Sequence, residues 1–443
     1  MAEVLSIAKK GVEHGLHLGA DQVEVYAIIR RQARIEVRKS HVIGGDVLEI
    51  GGAAVRVYVG RSLGIASTTR LTKLEGVVER AYHLAKAAPE DPYFKSLPGP
   101  SVYKPVEGLY DKGLASLSFE VLTERFMEGV DVASQGGALT VSGRLTKDVT
   151  KGFIVNSLGV EALYHETAIS GAIMSRAERD GDTAVGSEPL LGRSLREFDP
   201  IMAGREAAEK AEVRLGARKV ATATMDVILD FRSTRDTFLS VLGLGANGLN
   251  VALGVSFLSN KIGDSVCPPG LTVVDDPTIP GGLNSRSFDD EGAPSTRVTI
   301  VEKGVLKSFI TDSYSAGRLG VTNTGHARRR SLTSRPTPSL TNIHIAPGDW
   351  GVEELISETN RGVLVEDGRL GVSGFSTNIS SLVDYGFYIE KGEIVHPVKN
   401  TMVGMTVFDL LANIDAITKE VLMEAGSSSP AVRIAKVRIA GGR

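Results

Sequence analysis

The sequence predicts an α+β protein: an N-terminal α/β domain with helices on an antiparallel sheet, then a β-rich sheet or barrel-like C-terminal domain. Three observations predict it. Apolar residues alternate with polar ones at Val23, Val25, Ala27 and Ile29 and again at Val55, Val57 and Val59, the period of a strand with one buried face. Stripes at helical spacing flank these runs, whereas beyond residue 218 the pattern is mostly strand. Fifty glycines without a collagen period fit a chain rich in turns and hairpins.

The elements follow in order. Leu5, Ala8, Val12 and Leu16 predict a helix over 3–18, stopped at Gly19. Alternation from Asp21 through Ile35 and Val37, and the run ending at the Gly60-Arg61 turn, predict strands. Leu74, Val78, Ala81 and Ala85 predict a helix over 72–88. Pro89, Pro92, Pro98, Pro100 and Pro105 mark a linker at about 89–106, inside a first domain spanning 1–218. Ser118 suits the N-cap of a helix reaching about 134. Strands are expected at 139–149, 152–158 and 160–174, the last two joined by Asn156-Ser-Leu-Gly159. A helix at about 200–215 closes the domain. The second domain, 219–443, opens on Val227-Ile-Leu229, with helices near 233–246, 350–360 and 407–424. No short-period repeat is visible, which argues against solenoids and propellers.

Composition excludes several roles. The 50 Lys and Arg against 53 Asp and Glu leave a net charge of −3, so no basic field exists to hold nucleic acid or an anionic membrane. A single cysteine excludes a disulfide framework. No stretch approaches the ~20 apolar residues of a membrane span, and Met1-Ala-Glu-Val-Leu-Ser does not read as a signal peptide. A cytoplasmic protein is expected.

The catalytic vocabulary is thin. His14 and His17 lie three apart on a predicted helix without supporting carboxylates or cysteines. His165-Glu166 starts like a zinc-protease signature, but Ile169 and Ser170 follow where the second histidine belongs, and strand alternation points the pair to opposite faces. Gly243-Leu-Gly-Ala-Asn-Gly248 fits a dinucleotide fingerprint, yet helix-like sequence separates it from the preceding strand. Cys267 has no local partner to activate its thiol.

The segment Val273-Val-Asp-Asp-Pro-Thr-Ile-Pro-Gly-Gly-Leu-Asn-Ser-Arg-Ser-Phe-Asp-Asp-Glu-Gly292 resembles the most characteristic stretch of the TldD/PmbA family. Val301–Lys307, Tyr314–Gly320, Thr324–Arg329, Pro336–Asn342, Gly392–Lys399 and Ala54–Gly60 are similar to it too, all in family order. The resemblance implies one of two homologous subunits. The TldD type carries H-E-x-x-x-H on a helix and a late cysteine, which hold a catalytic zinc; the PmbA (TldE) type lacks them. The positions that match this motif here are Leu239, Ser240 and Leu244, and Glu424–Pro430 contains no cysteine. The resemblance therefore implies a PmbA-type subunit with no catalytic residue or cofactor of its own, zinc being expected only in a TldD-type partner. It further implies a heterodimer with that partner, a homodimer when the chain is alone, and unfolded peptide as substrate. The alternatives are a stand-alone hydrolase with a metal site relocated to His326 and His344, or a regulatory binding protein without a protease partner. Asp275, Asp276, Asp289, Asp290 and Glu291 are expected to cap turns.

Overall fold

The computed structural model describes residues 2–441, except 137, 367, 373 and 384. The N-terminal part begins with α1 (Ala2–His17), β1 (Gln22–Arg38), β2 (His41–Val59), β3 (Ser62–Thr68) and α2 (Leu74–Ala87). After the short α3 (Lys112–Ser116) come α4 (Phe119–Gln135), β4 (Thr140–Asn156), β5 (Glu161–Arg179), β6 (Asp182–Gly192) and α5 (Pro200–Val213). Ser118 caps α4, its Oγ accepting from Val121 N at 3.3 Å. The six strands form one antiparallel sheet in the order β3-β2-β1-β4-β5-β6. Helix, three strands and helix thus occur twice, and the sheet joins the two units through β1 and β4. Both of these have 17 residues, and β2 and β5 both have 19.

The units use the same packing device. A Cβ at Gly64 of β3 would collide with the Ala81 carbonyl of α2, and one at Gly186 of β6 with the Ala207 carbonyl of α5. Only glycine lets each helix lie this close to its strand. Val12, Val78 and Ala81 then meet Val23, Val25 and Val55, while Phe126, Val130 and Ala207 meet Leu145, Ile169 and Ile173.

The strands expected at 139–149 and 152–158 are one strand, β4. At Gly152, inside this strand, the ring of Tyr164 on the neighbouring strand occupies the space a side chain would fill. Both second strands overhang their neighbours. β3 covers only 53–59 of β2, and β6 covers β5 only from Ile169 onward. The β2 overhang is bare, with Val42, Ile43, Val47, Leu48 and Ile50 exposed.

The proline-rich stretch has no regular element between Ala87 and Lys112, but it is docked. Phe94 stacks on Tyr58 with ring centroids 3.7 Å apart, and the Tyr103 hydroxyl donates to the Gly292 carbonyl at 2.7 Å.

The C-terminal part is β-rich. β7 (Ala223–Leu229) leads into α6 (Phe231–Gly245) and α7 (Gly248–Ala252), followed by β8 (Val273–Asp275) and β9 (Val298–Glu302). These strands belong to a mixed sheet of twelve strands among the described residues. Its organising strand is Ser427–Ala440, which pairs with β7, Ile414–Glu424 and Thr401–Thr406. Val227, Leu229, Val432, Ile434 and Ile439 sit in its core. The helix expected near 350–360 is shorter, Val352–Ser357.

The helix expected over 407–424 is corrected: only Val407–Ala412 is helical, and Ile414–Glu424 is a strand. Val407, Leu410, Leu411 and Ile414 hold helical spacing, which misled the reading. Beyond them the β-branched Ile417 and Val421 pair with Ser427–Ala440, so tertiary pairing overrides the local period.

Buried charge joins the two parts. Arg56 of β2 donates from Nε to Glu24 Oε1 at 2.9 Å and from Nη1 to Glu291 Oε1 at 2.7 Å, and Arg329 reaches Glu24 from the C-terminal side. All four side chains are buried.

Candidate functional site

The β5 overhang, unlike that of β2, is covered. Segment 283–290 of the C-terminal part and residues 105–110 of the proline-rich stretch stand over it, enclosing a cleft of about 340 Å³. Arg193, just beyond β6, ties the walls together. Its guanidinium donates to the carbonyls of Gly282 (2.8 Å), Leu283 (2.7 Å) and Thr167 (3.2 Å) and to Glu166 Oε2 (3.1 Å). Thr167 N donates to Leu109 O at 2.9 Å and closes one end.

Strand geometry dictates the rest. The Thr167 amide points away from β4, and in an antiparallel pair that orientation recurs every second residue. Leu163 and His165 therefore also turn their N–H and C=O outward, and neither backbone has a partner there among the described residues. The His165 ring stacks on Tyr110 at 3.8 Å, and its Nε2 is buried without a partner. Burial, with Lys151 nearby, lowers its pKa.

The opposite wall is cationic. Arg286 donates from Nη1 to the Ala327 carbonyl at 3.0 Å, while its Nε and Nη2 are buried with no hydrogen-bond partner. Arg328 lines the same cleft with an exposed side chain. The carboxylates nearby are engaged, Glu166 with Arg193 and Asp290 with the Arg329 amide at 2.6 Å.

The acidic segment is a capping network. Asp275 accepts from Thr341 N and Oγ1 at 2.8 and 2.6 Å and is 2.7 Å from His326 Nε2. Asp289 accepts from the amides of Glu291, Ala293 and Ala327 at 2.9, 2.9 and 3.0 Å. Burial, then repulsion from Glu291, pushes Asp289 up to about 8, and the same two causes push Asp312 to about 6. Burial also acts against ionised Glu291, but Arg56 and the Ser313 amide hold its carboxyl below the usual range.

The other sequence-singled residues are dispersed. His165 and Glu166 lie on β5, one stacked on Tyr110 and the other bound to Arg193. His14, at the end of α1, is 3.2 Å from Glu79. Both ring nitrogens of His326 are taken, by Asp275 and Thr324, while His344 meets Ser428 Oγ at 2.9 Å. Among the described residues no three His, Cys, Asp or Glu converge on a point. Gly243–Gly248 spans the end of α6 and the Asn247 cap of α7, with no strand directly before it. Cys267 is buried, and burial pushes its thiol up to about 12.

Leu239, Ser240 and Leu244 all lie on α6, with Leu239 packed against the C-terminal core. The turn after Ile414–Glu424 approaches the start of this helix: Arg232 Nη2 is 2.7 Å from Glu424 Oε1, and Arg235 also pairs with Glu424. Arg193, Arg286 and Arg328 escaped the sequence reading, since each is one arginine among many and only the tertiary fold brings them to one cleft.

Family models of the PmbA/TldA metallopeptidase match residues 23–85 (domain 1), 113–215 (central domain) and 222–441 (C-terminal domain). The chain belongs to the PmbA/TldD family. The division between the family's first two domains falls between the two units of the N-terminal sheet. Metalloprotease PmbA of Escherichia coli is 25% identical over 459 residues, covering 98% of this chain and 96% of its own. A metalloprotease of Methanocaldococcus jannaschii is 29% identical over 254 residues, so the chain spans about half the length of that relative, 56%. The crystal structure of TldE from Thermococcus kodakarensis has the same fold, with a TM-score of 0.87 at 21% identity over 98% of this chain and 100% of that one.

The PmbA/TldD name implies a metal, and the residues on α6 do not fit one. Zinc needs about three protein ligands with lone pairs; Leu239 and Leu244 have none, and Glu424 near the helix start is held by two arginines.

Proposed function

We propose that this chain is the non-catalytic, PmbA/TldE-like subunit of a TldD/E-type zinc metallopeptidase complex that acts on unfolded or extended peptides in the cytoplasm. One observation carries the reading: the motif positions on α6 are Leu239, Ser240 and Leu244, inside a fold that is otherwise complete. A leucine side chain cannot ligate, and a serine hydroxyl cannot replace a general-base carboxylate. The loss is confined to chemistry, while Leu239, half-buried, packs against the core. The metalloprotease names of the relatives support the link to proteolysis.

In this reading the zinc of the TldD-type partner supplies the acidified water, and this chain supplies shape. Arg193 fixes the wall of the cleft, and the open β5 edge offers backbone groups to an extended chain. Homologous chains pair through equivalent surfaces about a pseudo-two-fold axis, so an obligate interface above ~2,000 Å² is expected.

The test is co-expression with a TldD-type homologue. We expect a homodimer from this chain alone, and a heterodimer whose zinc-dependent casein hydrolysis exceeds that of either chain. Light scattering and digestion read both. Failure to co-purify with any such homologue, or hydrolysis by this chain alone, would overturn the proposal.

A further inference from the structure

We infer that the cleft over β5 is a carboxylate-binding site, and that its ligand is the C-terminal end of an extended peptide. The inference deepens the peptide-handling reading above and rests on it.

Two independent features of the cleft converge. The first is the pair of orphan donors on Arg286. A guanidinium has five N–H groups and cannot shed its charge, yet Nε and Nη2 of Arg286 are buried without an acceptor. Leaving buried donors unpaired costs about 1–3 kcal/mol and more when they are charged; both atoms are shut off from solvent, so Arg286, which lines the cleft, must turn its guanidinium toward an entering acceptor to recover that cost. Arg328 lines the same space under the pull of Asp290, whose Oδ2 also accepts from the Arg329 amide, and Glu166 is held by Arg193. A planar guanidinium matches a carboxylate with two parallel hydrogen bonds. The second feature is the β5 edge, where Leu163 and His165 present unpaired backbone groups to the same cavity. Edges of this kind take an extended chain as an added strand.

Size and lining fit this ligand. A volume of about 340 Å³ accommodates a chain end rather than a folded partner. Leu109, Leu163 and Phe288 supply apolar walls for its side chains. An inorganic anion would use the arginines and leave those walls and the strand edge idle. Thr167 and Leu109, bonded to one another, bar passage at one end, which favours a terminus over a through-running chain.

The test is fluorescence anisotropy on this chain alone, with a short unstructured peptide labelled at its N-terminus. Three forms are compared: the free acid, the C-terminal amide, and the amide carrying an internal glutamate. The free acid should bind about ten-fold or more tightly than the amide, the difference a charge-assisted pair supplies. Arg328→Gln should lose most of that preference. Arg328 also offsets the charge of buried Asp290, so the melting profile of the variant is recorded alongside, and the acid-to-amide ratio on the unaltered protein tests the site without any variant. Equal binding of acid and amide, or no binding of either, overturns the site. Tight binding of the glutamate-bearing amide shows a side-chain carboxylate in the cleft and overturns the terminus. An active heterodimer combined with equal binding removes this inference and leaves the subunit proposal standing; acid preference in a chain that never pairs does the reverse.

Discussion

Asp289 carries the clearest consequence of burial at the scale of a residue. Its folded pKa of about 8 lies above the ~3.9 of an unfolded aspartate. Such a group contributes stability that is fully present below the unfolded value and is lost as pH rises through the folded one. The protein should therefore lose stability from about pH 4 to about pH 8, and Asp289→Asn should flatten that slope. Urea midpoints across the range measure it, and the slopes are compared rather than the absolute values, because an amide cannot accept from all three backbone donors equally. An unchanged slope would place the ionisation elsewhere. The capping role of the acidic segment was legible in its sequence, since aspartates beside turns bind backbone amides. That Asp289 would be driven up in pKa was not, because its burial comes from elements far along the chain. Arg286 illustrates the same limit: nothing within its neighbouring residues says that two of its donors end without a partner.

Element by element, the long alternating strands and the striped helices were readable because one period and one buried face dictate each. The misreadings share a cause. The strand Thr140–Asn156, expected as two pieces, and the 407–424 stretch, expected as a helix, are each decided by a neighbouring strand, Glu161–Arg179 or Ser427–Ala440. The doubled arrangement of helix, three strands and helix also escaped, because repetition of shape survives without repetition of residues. The close glycine contacts test that shape. Gly64→Ala should destabilise by about 2–3 kcal/mol, the usual cost of overpacking, because its Cβ meets the Ala81 carbonyl of α2. Gly76→Ala, inside α2 with nothing within 4 Å of its Cβ, should instead stabilise by about 0.5–1 kcal/mol. Denaturant unfolding of both variants gives the two signs, and destabilisation of equal size would mean that helix placement does not matter.

For the molecule as a whole, the decisive contacts are the charges between its two parts. Arg56→Ala leaves Glu24 and Glu291 buried without their shared cation and should cost about 3–5 kcal/mol. Equilibrium unfolding measures the loss, and a cost near that of a surface pair would show that Arg329 compensates. The change from a mixed helix-and-strand pattern to a β-rich one was visible in the sequence, but not the closure of one part over the other, which depends on side chains such as Arg193 that have no local signature. That closure is one-sided. The doubled unit offers two overhanging strand edges; the C-terminal part covers β5 and leaves β2 bare, with five large apolar side chains in the open. An uncovered edge is where chains stick together in crowded solution. What stands on it is Asp46, paired with Arg34, and Glu49. Carboxylates on an exposed strand discourage like strands from adding, so two acidic residues guard the corner that the fold leaves unroofed.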